Sequence, residues 1–253
     1  AIDEVILENV SAGNLAPTLR FYAWSPPCLS LGYGQKSDDV DERALQNYGW
    51  DIVRRVTGGK AILHIDELTY SLSLPTDDRI AEGGIIESYR RISQALLAGL
   101  NGLGVQSNAE RKDKNNNPIG PVCFETPSHY EITTEDGRKL VGSAQVRRKN
   151  GVLQHGSLPL YGDIARICDV MTYPNDYHRE EAKFHIRERA TTLEQALGRV
   201  MTWQTVADVL RQGFETLFDV QFNVASHEEL VSEVQVNQLV DESYGQSERT
   251  FRI

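Results

Sequence analysis

Two dipeptides, Asp136-Gly137 and Asn150-Gly151, constrain this chain more than any other feature. Each tolerates the positive φ angles that a type I′ two-residue turn requires. They divide residues 130–160 into three β-prone runs: 130–134, 140–149 and 152–160. The expectation is a three-stranded antiparallel meander. Cys123 stands just before it, between Pro121 and Pro127. Lys139 lies two residues past the first turn, and Gly142-Ser143-Ala144 falls in the middle strand. A glycine there marks a bulge or a close approach of backbone to a ligand. One motif thus supplies a thiol, an amine and a stretch of bare backbone.

The rest of the chain reads as strands and helices in turn. Ile2, Val5, Ile6 and Val10 mark a helix face. Residues 17–24 and 28–33 read as strands separated by Pro26-Pro27, and 41–48 as a short helix stopped at Gly49. Residues 50–56 and 60–65 are strands joined by a glycine turn, and Leu68, Tyr70, Leu72 and Leu74 alternate along another strand. Ile85, Tyr89, Ile92, Leu96, Leu100 and Leu103 recur at helical spacing before Gly104. Residues 108–120, with three consecutive asparagines, read as a mobile polar loop. Thr191-Thr192-Leu193-Glu194 opens a short helix ending at Gly198. Thr202 caps a helix that buries Trp203, Val206, Leu210, Phe214 and Leu217. Ser226-His227-Glu228-Glu229 opens a C-terminal helix over about 226–241. No repeat or linker divides residues 1–253. The fold class expected is α+β, a single domain with a mixed, mostly antiparallel sheet flanked by helices.

Composition excludes several classes. A net charge of −10 argues against nucleic acid as a general partner. No apolar run is long enough to span a membrane, and no secretory signal is expected at the start. Three cysteines without close spacing fit neither a disulfide framework nor a zinc site. A reduced, cytoplasmic protein without a metal is the expectation.

The chemistry-bearing residues each have a structural alternative. In Arg54-Arg55-Val56-Thr57-Gly58-Gly59-Lys60, bare glycines let backbone N–H groups approach a bound group, and the cations suit a phosphate or a polarised carbonyl. The alternative is an ordinary glycine hairpin with solvated arginines. An ammonium beside Cys123 would raise its thiolate fraction, and Lys139 supplies that charge if the hairpin folds back. Otherwise Cys123 is a buried structural cysteine, the role assigned to Cys28 and Cys168. His64 ends the strand after the glycine turn and His155 lies on the third meander strand; either is equally a hydrogen-bonded structural histidine. An Asn-Gly turn pairs His155 with Val146 and faces it away from Lys139, unless Gly142 carries a bulge. Arg111, Lys112 and Lys114 form one basic cluster and Arg147, Arg148 and Lys149 another, each a docking patch or a solvated surface.

Taken together, these segments resemble the biotin/lipoate protein ligase and octanoyltransferase superfamily. The resemblance rests on RRVTGGKAILHIDELTYS at 54–71, on GRKLVGSAQ at 137–145 and on LQHGSL at 153–158. SLGYGQ at 30–35 and AIDEV at 1–5 fit the preceding strand and first helix. The resemblance implies a single catalytic domain binding a medium-chain acyl group beneath the glycine turn, with no metal or nucleotide cofactor. VCFETPSHYE, at 122–131, resembles the cysteine motif of the LipM-type octanoyltransferases. By that resemblance Cys123 is the acyl-thioester nucleophile, and Lys139 lowers its pKa and holds the acyl carbonyl. Arg54, Arg55, Gly58, Gly59, Lys60, His64, Gly142, Ser143, Ala144 and His155 line the substrate site. The implied partners are acyl carrier protein and the lipoyl-accepting lysine of a lipoyl domain or the glycine cleavage H protein, with a monomer expected. Three rivals stand beside this reading. They are an ATP-dependent lipoate ligase, an octanoyl amidotransferase acting between lipoyl domains, and a non-catalytic lipoyl-domain-binding subunit.

Overall fold

A computed structural model describes residues 1–110, 121–122 and 131–251. The first elements are α1 (Ile2–Ser11), β1 (Thr18–Tyr22), β2 (Cys28–Leu31), α2 (Glu42–Tyr48), β3 (Asp51–Arg54), β4 (Ile62–His64) and β5 (Glu67–Pro75). Next come α3 (Ile85–Gly102), β6 (Ser107–Glu110), β7 (Glu131–Thr134), β8 (Lys139–Arg147) and β9 (Gly151–Pro159). The C-terminal part holds α4 (Asp176–Arg189), α5 (Leu193–Leu197), α6 (Trp203–Phe218), α7 (His227–Leu230), α8 (Glu233–Leu239) and α9 (Ser247–Thr250). A 3-10 helix, Ile164–Val170, precedes α4, and a π-turn, Val240–Tyr244, follows α8.

Among the described residues the strands form two sheets. The larger is antiparallel, in the order β1-β5-β9-β8-β7-β6. The smaller runs β3-β2-β4, with β2 and β3 parallel. The fold is therefore α+β with a mostly antiparallel sheet, as the sequence predicts. Leu68, Tyr70, Leu72 and Leu74 of β5 face the main core with Ile92, Leu96 and Leu100 of α3 and Leu210 and Phe214 of α6. The intervening Thr69, Ser71 and Ser73 are buried as well, so both faces of β5 are covered. Ser71 Oγ donates to Asp3 of α1 at 2.9 Å.

Several local expectations change. Neither meander turn is type I′, because neither Asp136 nor Asn150 has a positive φ. At the first turn Gly137 N donates to Thr134 O at 2.8 Å and Gly137 alone is left-handed, at φ 82°. That is a three-residue loop of type I turn plus bulge glycine. At the second turn the loop is Lys149-Asn150, and Arg148 N donates to Gly151 O at 2.8 Å. Gly151 serves packing instead: a Cβ there would lie 2.0 Å from Ser11 Oγ. His155 accordingly pairs with Ala144 and not with Val146. Asn108–Glu110 of the expected polar loop belongs to β6, and 111–120 lies outside the described residues. Leu217 is exposed, and Phe218 takes its place in the core.

The C-terminal helix expected over 226–241 is broken. Val231 is extended, at φ −142° and ψ 147°, and its side chain is buried beside Val5, Ile6 and Val10 of α1. The helix α4 has no counterpart in the sequence reading. Only Ile186 along it is buried, so it lacks the apolar period that announces a helix. It is supported by Asn175 as N-cap and by ion pairs such as Arg187–Asp163 at 2.7 Å.

The spacing of α3 and α6 depends on glycine. A Cβ on Gly213 would lie 2.5 Å from Gly99 N and 2.7 Å from Ala95 O. Gly213→Ala should therefore lower the urea midpoint, with a loss on the order of 1–3 kcal/mol from overpacking. Helix propensity alone would favour alanine by about 1 kcal/mol, so a raised midpoint would show that the glycine does not set the helix spacing.

Candidate active site

The segment from Arg54 to Lys60 is not a hairpin turn. It joins β3 to β4, which lie on either side of β2 and do not pair with each other. The segment therefore crosses the end of β2, where Gly32 sits against it. A Cβ at Gly32 would fall 1.9 Å from Gly59 O, so no other residue fits beneath this crossing. Tyr33 N donates to Thr57 O at 2.9 Å, and Arg55 N to Leu31 O at 3.0 Å. Gly59 has φ +97°, which a side chain would strain.

The two arginines of this segment have separate duties. Arg55 turns inward and lines the cavity described below. Its guanidinium donates to the carbonyls of Ser30 (2.9 Å), Gly58 (2.9 Å) and Lys60 (2.8 Å), and to Ser30 Oγ (3.2 Å). It thereby holds the crossing loop in shape. Arg54 is buried away from the cavity. It donates to the carbonyls of Gly32 (2.8 Å), Arg249 (2.9 Å) and Thr250 (2.8 Å), and so ties the C-terminal segment to the loop after β2. Its expected place at the substrate is not where its guanidinium lies. Gly59 lines the cavity, whereas Gly58 and Lys60 stand outside it.

Lys139 owes its position to a bulge. Ile132 pairs with Val141 and Thr133 with Lys139, so Leu140 is the extra residue. Leu140 and Val141 both enter the main core. Lys139 thus falls on the face opposite Val141, which is also the face of Gly142, Ala144 and His155. The bulge is at Leu140 and not at the anticipated Gly142. Lys139 Nζ forms a buried ion pair with Glu131 Oε1 at 3.0 Å. Its carbonyl accepts from Thr191 N at 3.0 Å.

Gly142, Ser143 and Ala144 line the cavity along β8, and His155 and Gly156 line it along β9. A Cβ on Gly156 would meet Gly142 O at 2.6 Å and Tyr70 Cε1 at 2.7 Å, so glycine lets Tyr70 reach across. Tyr70 OH donates to Ser143 Oγ at 2.8 Å, and Tyr89 OH to Ser143 O at 3.2 Å. The Arg148–Gly151 hydrogen bond fixes the alternation of the ladder. Gly142 and Ala144 bond to β9, while the N–H of Ser143 points toward the β7 side.

The cavity encloses about 390 Å³, within the range of small-ligand sites. Trp24, Val53, Ile62, Ala144 and Leu153 give it apolar surface. His64 Nε2 meets Ser30 Oγ at 2.8 Å, and the His64 ring stacks on Trp24 at 4.4 Å. His155 Nε2 meets Thr57 Oγ1 at 2.6 Å, joining β9 to the glycine segment. Burial pushes His155 down to about 4, partly offset by Asp3, so its ring is neutral at pH 7.

Asp3 itself was missed in the sequence, where it reads as an ordinary acidic residue in the first helical turn. Burial favours its protonated form. Arg20 at 2.8 Å and the Tyr22 and Ser71 hydroxyls outweigh this and hold its carboxyl below the ordinary range. Val236, Val240 and Tyr244 of the C-terminal segment also line the cavity, and no sequence motif announces them.

Cys123 lies outside the described residues, as do Arg111, Lys112 and Lys114. Its chain neighbour Val122 is described. Val122 forms a parallel bridge with Ala61, and Pro121 O accepts from Ala61 N at 3.1 Å and from Gln35 Nε2 at 3.0 Å. Ala61 immediately precedes the cavity-lining Ile62. In the hairpin cluster, Arg148 pairs with Glu4 at 2.7 Å, Arg147 donates to the carbonyls of Ala81 and Gly83, and Lys149 is exposed. Cys28 and Cys168 are buried, and burial pushes the Cys28 thiol up to about 12.

With this geometry in hand, the likenesses to known proteins are specific. Residues 1–215 match the family model described as the lipoyl protein ligase A/B catalytic domain. The octanoyltransferase LipM of Moorella thermoacetica is 42% identical over 225 residues, covering 88% of this chain and 82% of that protein. The octanoyltransferase LipM of Halalkalibacterium halodurans is 35% identical over 259 residues, covering 100% of this chain and 93% of that protein. Among solved structures, the bi-partite lipoate protein ligase of Thermoplasma acidophilum superposes with a TM-score of 0.78 at 21% identity, over 99% of this chain and 91% of that one. A lipoate-protein ligase A bound with ATP gives 0.73 at 21% identity, over 100% and 94%. These structures establish the shared fold, and the family model and relatives establish the rest: the chain belongs to the lipoyl protein ligase A/B catalytic domain family and is an acyltransferase.

Proposed function

We propose that this protein is an octanoyltransferase of lipoate biosynthesis. It moves octanoyl from acyl carrier protein, through a thioester on Cys123, to the lipoyl-accepting lysine of a lipoyl domain or the glycine cleavage H protein. The relatives named octanoyltransferase LipM support the acyl group. The observation that carries the site is the anchoring of Val122 against Ala61, next to the cavity wall, because Cys123 is one peptide bond further on.

In the first half-reaction the Cys123 thiolate attacks the donor thioester carbonyl. A new C–S bond forms, the carrier's C–S bond breaks, and the carrier leaves as a thiolate that takes up a proton. Lys139, on the cavity face of β8, supplies positive charge near the thiol and the carbonyl. Glu131 holds that ammonium in place inside the protein. The Ser143 N–H, which the β8–β9 ladder does not use, is the backbone donor for the developing oxyanion. In the second half-reaction the acceptor lysine amine attacks the enzyme thioester. A C–N bond forms, the C–S bond breaks, Cys123 returns as thiolate and the amine's proton is released. Thioester to amide is downhill, so ATP is not consumed. The covalent intermediate divides one difficult transfer into two easier ones.

Incubation with octanoyl-acyl carrier protein should leave an octanoyl adduct in the intact mass of the wild type and none in Cys123→Ala. Transfer to the acceptor should proceed without ATP. A requirement for ATP together with lipoate-dependent pyrophosphate exchange would establish the ligase reading instead. An adduct formed only from an octanoylated lipoyl domain would make the enzyme an amidotransferase.

Lys139→Ala should raise the pH midpoint of Cys123 alkylation by on the order of one to two units, about 1.4–2.7 kcal/mol of lost thiolate stabilisation. The rise should be at the small end if Glu131 keeps much of the ammonium's field to itself. An unchanged midpoint would remove Lys139 from the neighbourhood of the thiol.

A further inference from the structure

The strand-borne lining of the cavity is largely apolar, through Val53, Ile62, Ala144 and Leu153, and its hydrogen-bonding side chains are largely satisfied by one another. Thr57 meets His155, Ser30 meets His64, and Tyr70 meets Ser143. A second part of the lining comes from the C-terminal helical segment. Val236 from α8 and Val240 and Tyr244 from the π-turn bring two aliphatic side chains and a ring to the cavity.

These three residues are spaced by four. In an α-helix four residues overshoot a full turn by about 40°, so three such residues drift round the axis. Here the second interval is a π-turn: Gly245 N donates to Val240 O at 2.7 Å, five residues back. The wider turn falls short of a full circle over four residues and cancels the drift. All three side chains therefore form one stripe.

The stripe is also fixed in place. Val236 and Leu239 pack against the cluster that Val5, Ile6 and Val10 of α1 form with Val231. Tyr244 OH donates to Glu4 Oε2 at 2.9 Å, and the Arg249 guanidinium lies 3.7 Å above the Tyr244 ring. Arg54 grips the carbonyl of Thr250 at 2.8 Å. A segment that served only to cover α1 would need neither the wide turn nor the clamp on its end.

We propose that the stripe Val236–Val240–Tyr244 is the specificity-determining wall for the acyl chain. This rests on the acyl-transfer reading and deepens it: the substrate class is a saturated medium-length acyl group, and its preferred length is set by the volume left beside Val240. The measurement is competition among acyl carrier proteins bearing six-, eight-, ten- and twelve-carbon chains, read as intact-mass adducts on the full-length enzyme. Each methylene that gains a buried place is worth about fourfold. Val240→Ala should therefore raise the ten- to eight-carbon adduct ratio by on the order of tenfold. Val240→Phe should lower the eight- to six-carbon ratio by a similar factor. Val236→Ala should move the profile in the same direction as Val240→Ala, and the two alanine variants decide the matter if the phenylalanine variant does not fold. Adducts with an unmoved length profile in these variants overturn the stripe and leave acyl transfer standing. No adduct of any length on the wild type overturns both.

Discussion

The extra residue at Leu140 is the constraint on which the candidate site depends. Without it, β8 would alternate regularly from Arg147 back to the first turn. Lys139 would then share a face with Val141, and its ammonium would enter the main core among leucines. The bulge lets Leu140 and Val141 both serve that core and delivers Lys139 to the other face, where Glu131 meets it. A buried ammonium without such a partner would surrender its proton or disrupt the fold. The bulge and the ion pair are thus one device, each needed for the other to be tolerable.

The crossing loop works by the same economy of neighbours. Arg54 and Arg55 are adjacent at the end of β3, so their side chains leave on opposite sides. One closes the loop from inside, onto the carbonyls of Gly58 and Lys60; the other reaches out to the carbonyls of Arg249 and Thr250. A motif that reads as one cationic patch is two separate clamps. Both guanidiniums are directed at protein carbonyls, which makes the pair a scaffold for the cavity before it is anything else.

Much of the fold was legible in the sequence, and the failures have identifiable physics. Amphipathic α3 and α6, the capped α2 and the meander all follow from periodicity and turn chemistry. The glycine segment reads as a turn joining two strands, and nothing local reveals that β2, more than twenty residues earlier, inserts between them. Asn150-Gly151 resembles a type I′ turn, yet its glycine is demanded by α1. The helix α4 was invisible because surface ion pairs, not an apolar stripe, accompany it. Of the residues that the family resemblance implied, Arg55, Gly59, His64, His155 and Gly142–Ala144 line the cavity. Asp3 and the Val236–Tyr244 stripe were not legible in the sequence, because each is placed by contacts distant in the chain, Asp3 by Arg20, Tyr22 and Ser71 and the stripe by Glu4.

The internal pairing of the buried polar groups around the cavity explains why its walls can carry them and still suit an acyl chain. Thr57 and Ser30 occupy Nε2 of His155 and His64, and the Asp3 carboxylate is taken up by Arg20, Tyr22 and Ser71. The closest approach of Asp3 to His155 is 4.0 Å, too long for a hydrogen bond, and the neutral ring does not require one. Polar atoms whose bonds are made internally need no water from the cavity, so an alkyl group can displace that water without leaving them unpaired. The cost of carrying hydroxyls and imidazoles along the acyl site is thereby met within the protein. They can hold β9 and β4 to the crossing loop and to β2 while the aliphatic side chains between them receive the chain.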